Sequence, residues 1–143
     1  MRKFKPLVDK LYYIIMIPTV TLLAVLTAVA AISPLSLLAS IPADLFVIWF
    51  FVSPLFGYVE PRENSLYIKY GLILKKEIPY DKIVRVEKER RFYSESMMSL
   101  KNALEHVNIR YNRYDLTCVS VVGNDELIEE IDRRIRSDTD KRT

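Results

Sequence analysis

Two long apolar stretches, back to back in the first 59 residues, constrain this chain more than any other feature. Residues 11–32 contain no charged side chain, and residues 35–59 contain only Asp44. A helix needs about 20 apolar residues to cross the hydrocarbon core of a bilayer. Residues 60–143, in contrast, hold 33 of the 39 Asp, Glu, Lys and Arg residues. The sequence therefore predicts a membrane part followed by a small water-soluble part.

The membrane part is predicted to be a transmembrane hairpin over residues 1–59, with spans at about 10–32 and 41–59. Ser33-Pro34 is interpreted as the end of the first span, because proline disfavours helix in the residue before it. Pro42 and Asp44 are interpreted as the start of the second, since proline and acidic residues are typical of a first helical turn. Asp44 is either an ion or proton site or a carboxylate at a helix N-terminus. The sequence favours the helix N-terminus, because one carboxylate without a partner makes no transport path.

Lysine and arginine flank the hairpin on its two outer ends, whereas the connector between the spans carries neither. Because positively charged flanks remain in the cytoplasm, both termini are predicted to be cytoplasmic. Ala28-Val29-Ala30 also resembles a signal-peptidase site, but the apolar run is longer than the roughly 7–15 residues of a signal peptide's apolar h-region. The sequence leaves open whether the first span is cleaved.

Residues 60–136 change to short alternating segments, which predict an α+β domain with an antiparallel sheet of about five strands capped by a C-terminal helix. Alternating apolar and polar side chains place the strands at residues 64–70, 72–78, 83–88, 104–111 and 114–122. The helix is predicted over residues 125–136, with basic residues at its C-terminal end. Its apolar stripe consists of Leu127, Ile128, Ile131 and Ile135. Residues 137–143 are predicted to form a polar tail.

Several spaced elements of the chain resemble a known family. They are the two apolar spans, Leu66-x-Ile68-x-x-Gly71, the Ile-Pro-Tyr-Asp-Lys-Ile run at 78–83, the serine-rich stretch before Leu104, Ile109-Arg110-Tyr111 and Val119-Ser120. Together they are similar to the small bacterial PH-like domains of the YyaB-like group, over roughly residues 60–135. The resemblance implies an abbreviated PH-like fold whose sheet is incomplete or completed by a partner. Val121 departs from the family, which commonly has proline at this position.

The residues give no indication of catalysis, so the protein is predicted not to be an enzyme and to have no cofactor. Cys118 and His106 fall on adjacent predicted strands, but nothing near Cys118 in the sequence would activate its thiol. A single histidine and a single cysteine argue against a metal site and exclude an internal disulfide. The net charge of +3 is modest and mixed in sign, which argues against nucleic acid as a partner.

A basic patch is the first candidate for ligand binding. Its members are Lys75, Lys76, Lys82, Arg85, Arg90 and Arg91. Such clusters near a cytoplasmic membrane face attract anionic lipids by about 1 kcal/mol per charge. The alternative is a solvated strand face, whose field Glu87 and Glu89 reduce. The sequence favours the solvated face and keeps an anionic-lipid-sensing domain as an alternative function.

Two further segments are candidates for contact with a protein partner. They contain Phe92, Tyr93, Met97 and Met98 in the first, and Tyr111, Arg113 and Tyr114 in the second. Methionine side chains adapt to ligands, and tyrosine and arginine are enriched at binding hot spots. Core packing is the alternative interpretation for the first segment.

These observations predict a multi-pass protein of the bacterial inner membrane with a non-catalytic PH-like module that binds or scaffolds a protein or peptide. Membrane lipids are the other expected partner, and a homo-oligomer remains open. The alternative is immunity or resistance to a membrane-active bacteriocin peptide, which the hairpin would meet in the membrane. Some similar two-span proteins act in this way, so the resemblance permits it.

Overall fold

The computed structural model describes residues 2–91, 99–100 and 103–143. Two helices come first, α1 (Lys10–Ala30) and α2 (Pro34–Val52), and a 3₁₀ turn (Ser53–Phe56) extends α2. The strands and the last helix of the described residues are β1 (Tyr58–Pro61), β2 (Ser65–Lys69), β3 (Lys75–Pro79), β4 (Ile83–Arg90), β5 (Ser99–Leu100), β6 (Glu105–Tyr111), β7 (Asp115–Val119) and α3 (Asn124–Arg142).

Helices α1 and α2 pack against each other as an antiparallel pair. Asp9 caps α1, because its carboxylate accepts a hydrogen bond of 2.8 Å from the Leu11 amide. The Tyr12 hydroxyl donates to the Phe51 carbonyl at 2.6 Å, and the two rings meet edge to face. Within the most apolar 18 residues of each helix, 0% are buried in α1 and 6% in α2 with its 3₁₀ extension. The core helices of soluble proteins, in contrast, are mostly buried. The chain therefore has two helices long and apolar enough to span a membrane, as the sequence predicts.

The second helix begins at Pro34, seven residues before its predicted start. Ser33 is its extended N-cap, and proline at the first helical position has the backbone angle that the helix needs. The Ser33-Pro34 dipeptide thus follows the end of α1 at Ala30 and starts the next helix. Asp44 consequently lies about 15 Å along α2, so its predicted position in the first turn is wrong. Its carboxylate accepts a hydrogen bond of 2.9 Å from the Thr27 hydroxyl of α1.

The described residues after α2 form two sheets, each with three antiparallel strands of four or more residues, and a C-terminal helix. One sheet has the order β1-β2-β3 and the other β4-β6-β7, with the two-residue β5 parallel to β7. The core between them contains Val59, Leu66, Ile68, Ile78, Tyr80, Val107, Ile109 and Val119, all fully or almost fully buried. Helix α3 adds Leu127 and Ile131 to this core, and Ile128 and Ile135 pack at its margin. The predicted stripe of α3 is confirmed.

Three boundaries in this part differ from the sequence prediction. The described chain has six strands of four or more residues instead of about five, because Tyr58 and Val59 belong to β1 and not to the second span. The predicted domain boundary between residues 59 and 60 therefore falls inside a strand. Strand β3 begins at Lys75, which leaves residues 72–74 in a turn. Helix α3 continues to Arg142 and includes most of the predicted polar tail.

The residues before α1 also belong to this domain. Phe4 and Val59 exchange two backbone hydrogen bonds of 2.7 and 3.0 Å, so the N-terminal strap (residues 2–9) lies along the free edge of β1. Further along the strap, the Leu7 amide donates to the Ser120 carbonyl and the Val122 amide donates to the Lys5 carbonyl, both at 2.9 Å. The Phe4 side chain is only 3% exposed and lies in the core. The domain is therefore discontinuous in sequence, with the helical hairpin inserted between its first and second segments.

Candidate functional site

The turn between β6 and β7 carries the most exposed aromatic side chain in the described part of the domain. Tyr114 is 85% exposed, and the Arg113 guanidinium lies 5.3 Å from the centre of its ring. Asn112 adopts a left-handed conformation (φ 52°) that asparagine tolerates, and its side-chain amide donates to Asp115 at 2.7 Å. The turn is thus held by its own polar contacts, and Tyr114 contributes nothing to the core.

The third predicted residue of this turn lies elsewhere. Tyr111 is buried at the end of β6, and its hydroxyl accepts a hydrogen bond from the Lys76 ammonium. Val84 instead adjoins the turn. It lies where the register of β4 against β6 shifts, and it is 71% exposed. Two residues before it, the Lys82 carbonyl accepts a hydrogen bond of 2.8 Å from the Asn112 amide. We call Val84, Arg113 and Tyr114 the turn surface.

The six residues of the predicted basic patch do not form one cluster. Lys82 immediately precedes β4 and Arg90 is its last residue, so a strand about 23 Å long lies between them. Arg85 pairs with Glu87, and Arg91 lies 3.6 Å from the Glu89 carboxylate. These ion pairs are exposed on at least one side, so each contributes little to stability. The other predicted binding segment, with Phe92, Tyr93, Met97 and Met98, lies outside the described residues.

The two side chains considered for nucleophilic chemistry have other partners. The Cys118 thiol is buried and donates to the Asn108 side-chain carbonyl at 2.8 Å. The His106 ring is also buried, with one nitrogen 3.1 Å from the Leu104 carbonyl and the other 4.0 Å from the Glu89 carboxylate. No hydrogen bond joins Cys118 to His106 in the described part of the chain. Within the same residues, no three His, Cys, Asp or Glu side chains converge as a metal-binding group.

A groove of about 640 Å³ opens between α1 and α2, and the sequence did not predict it. Its walls are mainly apolar, and Asp44 is the charged residue that lines it, bonded to Thr27. If α2 crosses a membrane, a carboxylate this far from the helix ends is costly in hydrocarbon, which makes Asp44 a candidate functional residue. The signal available in the sequence was the isolated aspartate in an apolar run. Its distance from the start of α2 could be assigned only once the structure showed that α2 begins at Pro34.

Two buried tyrosines join separate parts of the two-sheet domain. The Tyr70 hydroxyl forms a hydrogen bond of 2.6 Å with the Thr117 hydroxyl, which joins the end of β2 to β7 in the other sheet. The Tyr80 hydroxyl donates to the Arg62 carbonyl at 2.8 Å. Burial raises the pKa of both Tyr70 and Tyr80 to about 12, because the phenolate would lose its hydration.

Comparison with known proteins agrees with this architecture. The sequence model of the bacterial PH domain family matches residues 57–135, which begin beside β1 and end in α3. The comparisons with curated proteins and with solved structures gave no significant match.

Proposed function

Because the chain belongs to the bacterial PH domain family, we propose that it is a non-catalytic module, held at a membrane by α1 and α2, that binds a protein or peptide. The observation that carries this proposal is the turn surface. Tyrosine and arginine dominate binding hot spots, and Tyr114 is 85% exposed beside Arg113 and the exposed Val84. Burial of such an exposed aromatic ring against a partner would make the free energy of binding more favourable.

The N-terminal strap supports the proposed arrangement in the membrane. Since Phe4 pairs with Val59, the residues before α1 and the PH-like domain lie on the same side of any bilayer that the hairpin crosses. Two spans return the chain to the side on which it started, so a two-span hairpin meets this condition. Removal of the first span as a signal peptide would also remove Phe4 from the core, which argues for an uncleaved span. Lys and Arg in both outer flanks and none in the connector favour the cytoplasmic side, at the bacterial inner membrane.

A photo-crosslinking amino acid in the full-length protein tests the turn surface. We expect substitution at Tyr114 or Val84 to capture, in native membranes, one adduct of the same added mass. The same amino acid at Asp132, exposed on α3, is the control and should not capture it. Arg113→Ala should weaken capture at both positions. An equal adduct at Asp132, or none at Tyr114 and Val84, would contradict the proposal.

Immunity to a membrane-active bacteriocin peptide is the second candidate function, and the groove between α1 and α2 favours it. The groove is open, apolar and about 640 Å³, and Asp44 offers a carboxylate to a cationic or hydroxyl-bearing peptide within the membrane. Expression in a sensitive strain should then raise the peptide concentration needed to kill. Asp44→Leu should abolish this protection, whereas Leu45→Ala, next to it and exposed, should not. Protection that survives Asp44→Leu would exclude the groove as the contact.

A further inference from the structure

The turn between β2 and β3 is fixed against the end of α2. The Leu72 amide donates to the Ser53 hydroxyl at 3.0 Å, and the Tyr70 amide donates to the Leu74 carbonyl at 2.9 Å. Gly71 is required for this approach, since a Cβ there would lie 2.3 Å from the Ser53 hydroxyl oxygen. The turn is therefore held beside the 3₁₀ turn that ends the second apolar helix. It lies at the end of the domain that faces the membrane if α2 spans one.

The same turn exposes three consecutive large apolar side chains. Leu72, Ile73 and Leu74 are 47%, 73% and 55% exposed. The described residues 57–143 expose six large apolar side chains in all, so half of them are in this one turn. Exposed apolar groups that are concentrated in one place indicate an interaction surface. We call these three residues the apolar turn.

Lysines without acidic partners surround the apolar turn. Lys69 and Lys75 pair across the strands that lead into and out of it. The Lys69 and Lys3 ammonium groups lie 5.9 and 4.8 Å from the centre of one ring, that of Tyr58. In the part of the chain that the structure describes, neither forms an ion pair with a carboxylate. Each of these ammonium groups is a positive charge without a carboxylate partner among the described residues, so a nearby anion would stabilise it.

A hollow on the Lys3 side of this ring, which Lys69 does not line, provides space for an anion. Its volume is about 460 Å³, and Lys3, Lys5 and Tyr58 line it together with Leu55 of the 3₁₀ turn and Gly57. The backbone of Phe4 is bonded to Val59 of β1, which fixes where its neighbours Lys3 and Lys5 project from. Because Leu55 continues the second apolar helix, the hollow lies where the headgroups of a bilayer would be.

We propose that this end of the domain is a second membrane contact: the apolar turn enters the interface, and Lys3 and Lys69 bind the phosphate groups of anionic lipids in the same leaflet. The inference rests on the membrane location of α1 and α2 proposed above. Apolar burial and lysine attraction act together at an interface, as they do for amphipathic membrane-binding segments. Lys3 and Lys69 are not members of the basic patch that the sequence predicts, and the contact would fix the orientation of the turn surface relative to the bilayer.

Fluorescence quenching in vesicles tests the insertion of the apolar turn. In the full-length protein, Cys118→Ser removes the native cysteine and Ile73→Cys introduces a single site for a fluorophore. The vesicles contain lipids that carry a quenching nitroxide near the headgroup. We expect strong quenching at Ile73 and none at Glu63, an exposed control in the turn at the other end of β2. A fluorophore placed at Leu45 in α2 tests whether the hairpin itself is inserted, by its quenching by a nitroxide deep in the lipid chains. Quenching at Leu45 but not at Ile73 would overturn this inference alone, and quenching at neither would overturn the membrane location too.

The lysines are tested by lipid titration of the full-length protein in detergent, with bound phosphatidylglycerol counted by native mass spectrometry. Lys3→Gln/Lys69→Gln should weaken phosphatidylglycerol binding about 30-fold, as expected for two lysines near an anionic surface. Lys82→Gln/Arg90→Gln removes the same charge from β4 and its start and should leave the affinity unchanged. Equal losses, or none in the first variant, would overturn the assignment. Displacement of the lipid by equimolar inorganic phosphate would also overturn it, because the site would then bind a free anion.

Discussion

Substitution of Phe4 tests whether the residues before α1 are part of the folded domain. The Phe4 ring is 3% exposed and lies in the core with Val59, while the backbone of Phe4 makes two hydrogen bonds to Val59. Phe4→Ala removes the ring and keeps those hydrogen bonds. The expected loss is therefore that of a buried aromatic side chain alone.

The magnitude follows from burial. Burying a phenylalanine ring is worth about 1.5–3 kcal/mol, and the cavity that alanine leaves raises the cost to about 3–5 kcal/mol. A domain of this size is typically stable by only about 5–15 kcal/mol, so the variant retains a reduced fraction of its stability. With a urea dependence of about 1–1.5 kcal/mol/M, a loss of 3 kcal/mol lowers the midpoint by about 2–3 M.

Urea unfolding of the full-length protein in a mild detergent, read by pulse proteolysis, measures this shift. Tyr114→Ala is the matched control, because it also replaces an aromatic ring by alanine but at a side chain that is 85% exposed. Its midpoint should move by less than about 0.5 M, as for an ordinary surface substitution. If Phe4→Ala unfolds at the wild-type urea concentration, the strap is not part of the domain and the domain is continuous from β1 onwards.

Three further changes follow from local geometry. Gly71→Ala places a Cβ 2.3 Å from the Ser53 hydroxyl oxygen, so it should break the Leu72–Ser53 hydrogen bond and speed amide hydrogen exchange in the β2–β3 turn. Gly123→Ala, at φ 89°, should lower the free energy of unfolding by about 1–2 kcal/mol in urea titrations. The buried Tyr70, with its pKa raised to about 12, stays neutral above pH 10 while the unfolded tyrosine ionises. The free energy of unfolding should therefore fall as the pH rises from 10 to 12, and Tyr70→Phe should reduce that fall.

Each of these predictions has a distinguishing control. Ser53→Ala in the Gly71→Ala background removes the clashing oxygen and should restore slow exchange in the rest of the turn; unchanged fast exchange would point to another cause. Gly57→Ala, whose φ is −71°, should not reproduce the cost of Gly123→Ala, and equal costs would refute the strain argument. For the pH effect, Tyr114→Phe should leave the slope between pH 10 and 12 as in wild type. A similar reduction in Tyr114→Phe and Tyr70→Phe would show that burial is not the source.

Local patterns predicted the elements whose signals are contained in one segment. The stripe of Leu127, Ile128, Ile131 and Ile135 identified α3, and alternation identified β2, β4, β6 and β7 at nearly their observed positions. Strand β1 was missed because Tyr58 and Val59 continue an apolar run, and hydrophobicity alone does not separate a buried strand from the end of a span. The role of residues 72–74 was also missed. Apolar side chains after Gly71 indicate a strand unless the contact with Ser53 is known.

The candidate surfaces depended even more on spatial neighbours. The sequence identified Arg113 and Tyr114 from residue type, and the structure exposes both, but it buries Tyr111 of the same turn. Grouping Lys82 with Arg90 was natural along the chain, yet a strand of about 23 Å separates them. Lys3 and Lys69, which were never grouped, lie 4.8 and 5.9 Å from the centre of the Tyr58 ring because the strap pairs with β1 and β1 pairs with β2.

The amino-acid order by itself determined two apolar helices and the periodic strands and helix that follow, since each depends on side chains within a turn or a strand of one another. Only the tertiary structure decided that Phe4 completes a core built more than 50 residues later, and that Asp44 lies deep in a helix beside Thr27. These outcomes depend on which segments pair across long separations. Such pairing is set by packing and backbone hydrogen bonding between distant parts of the chain, and no local pattern records it.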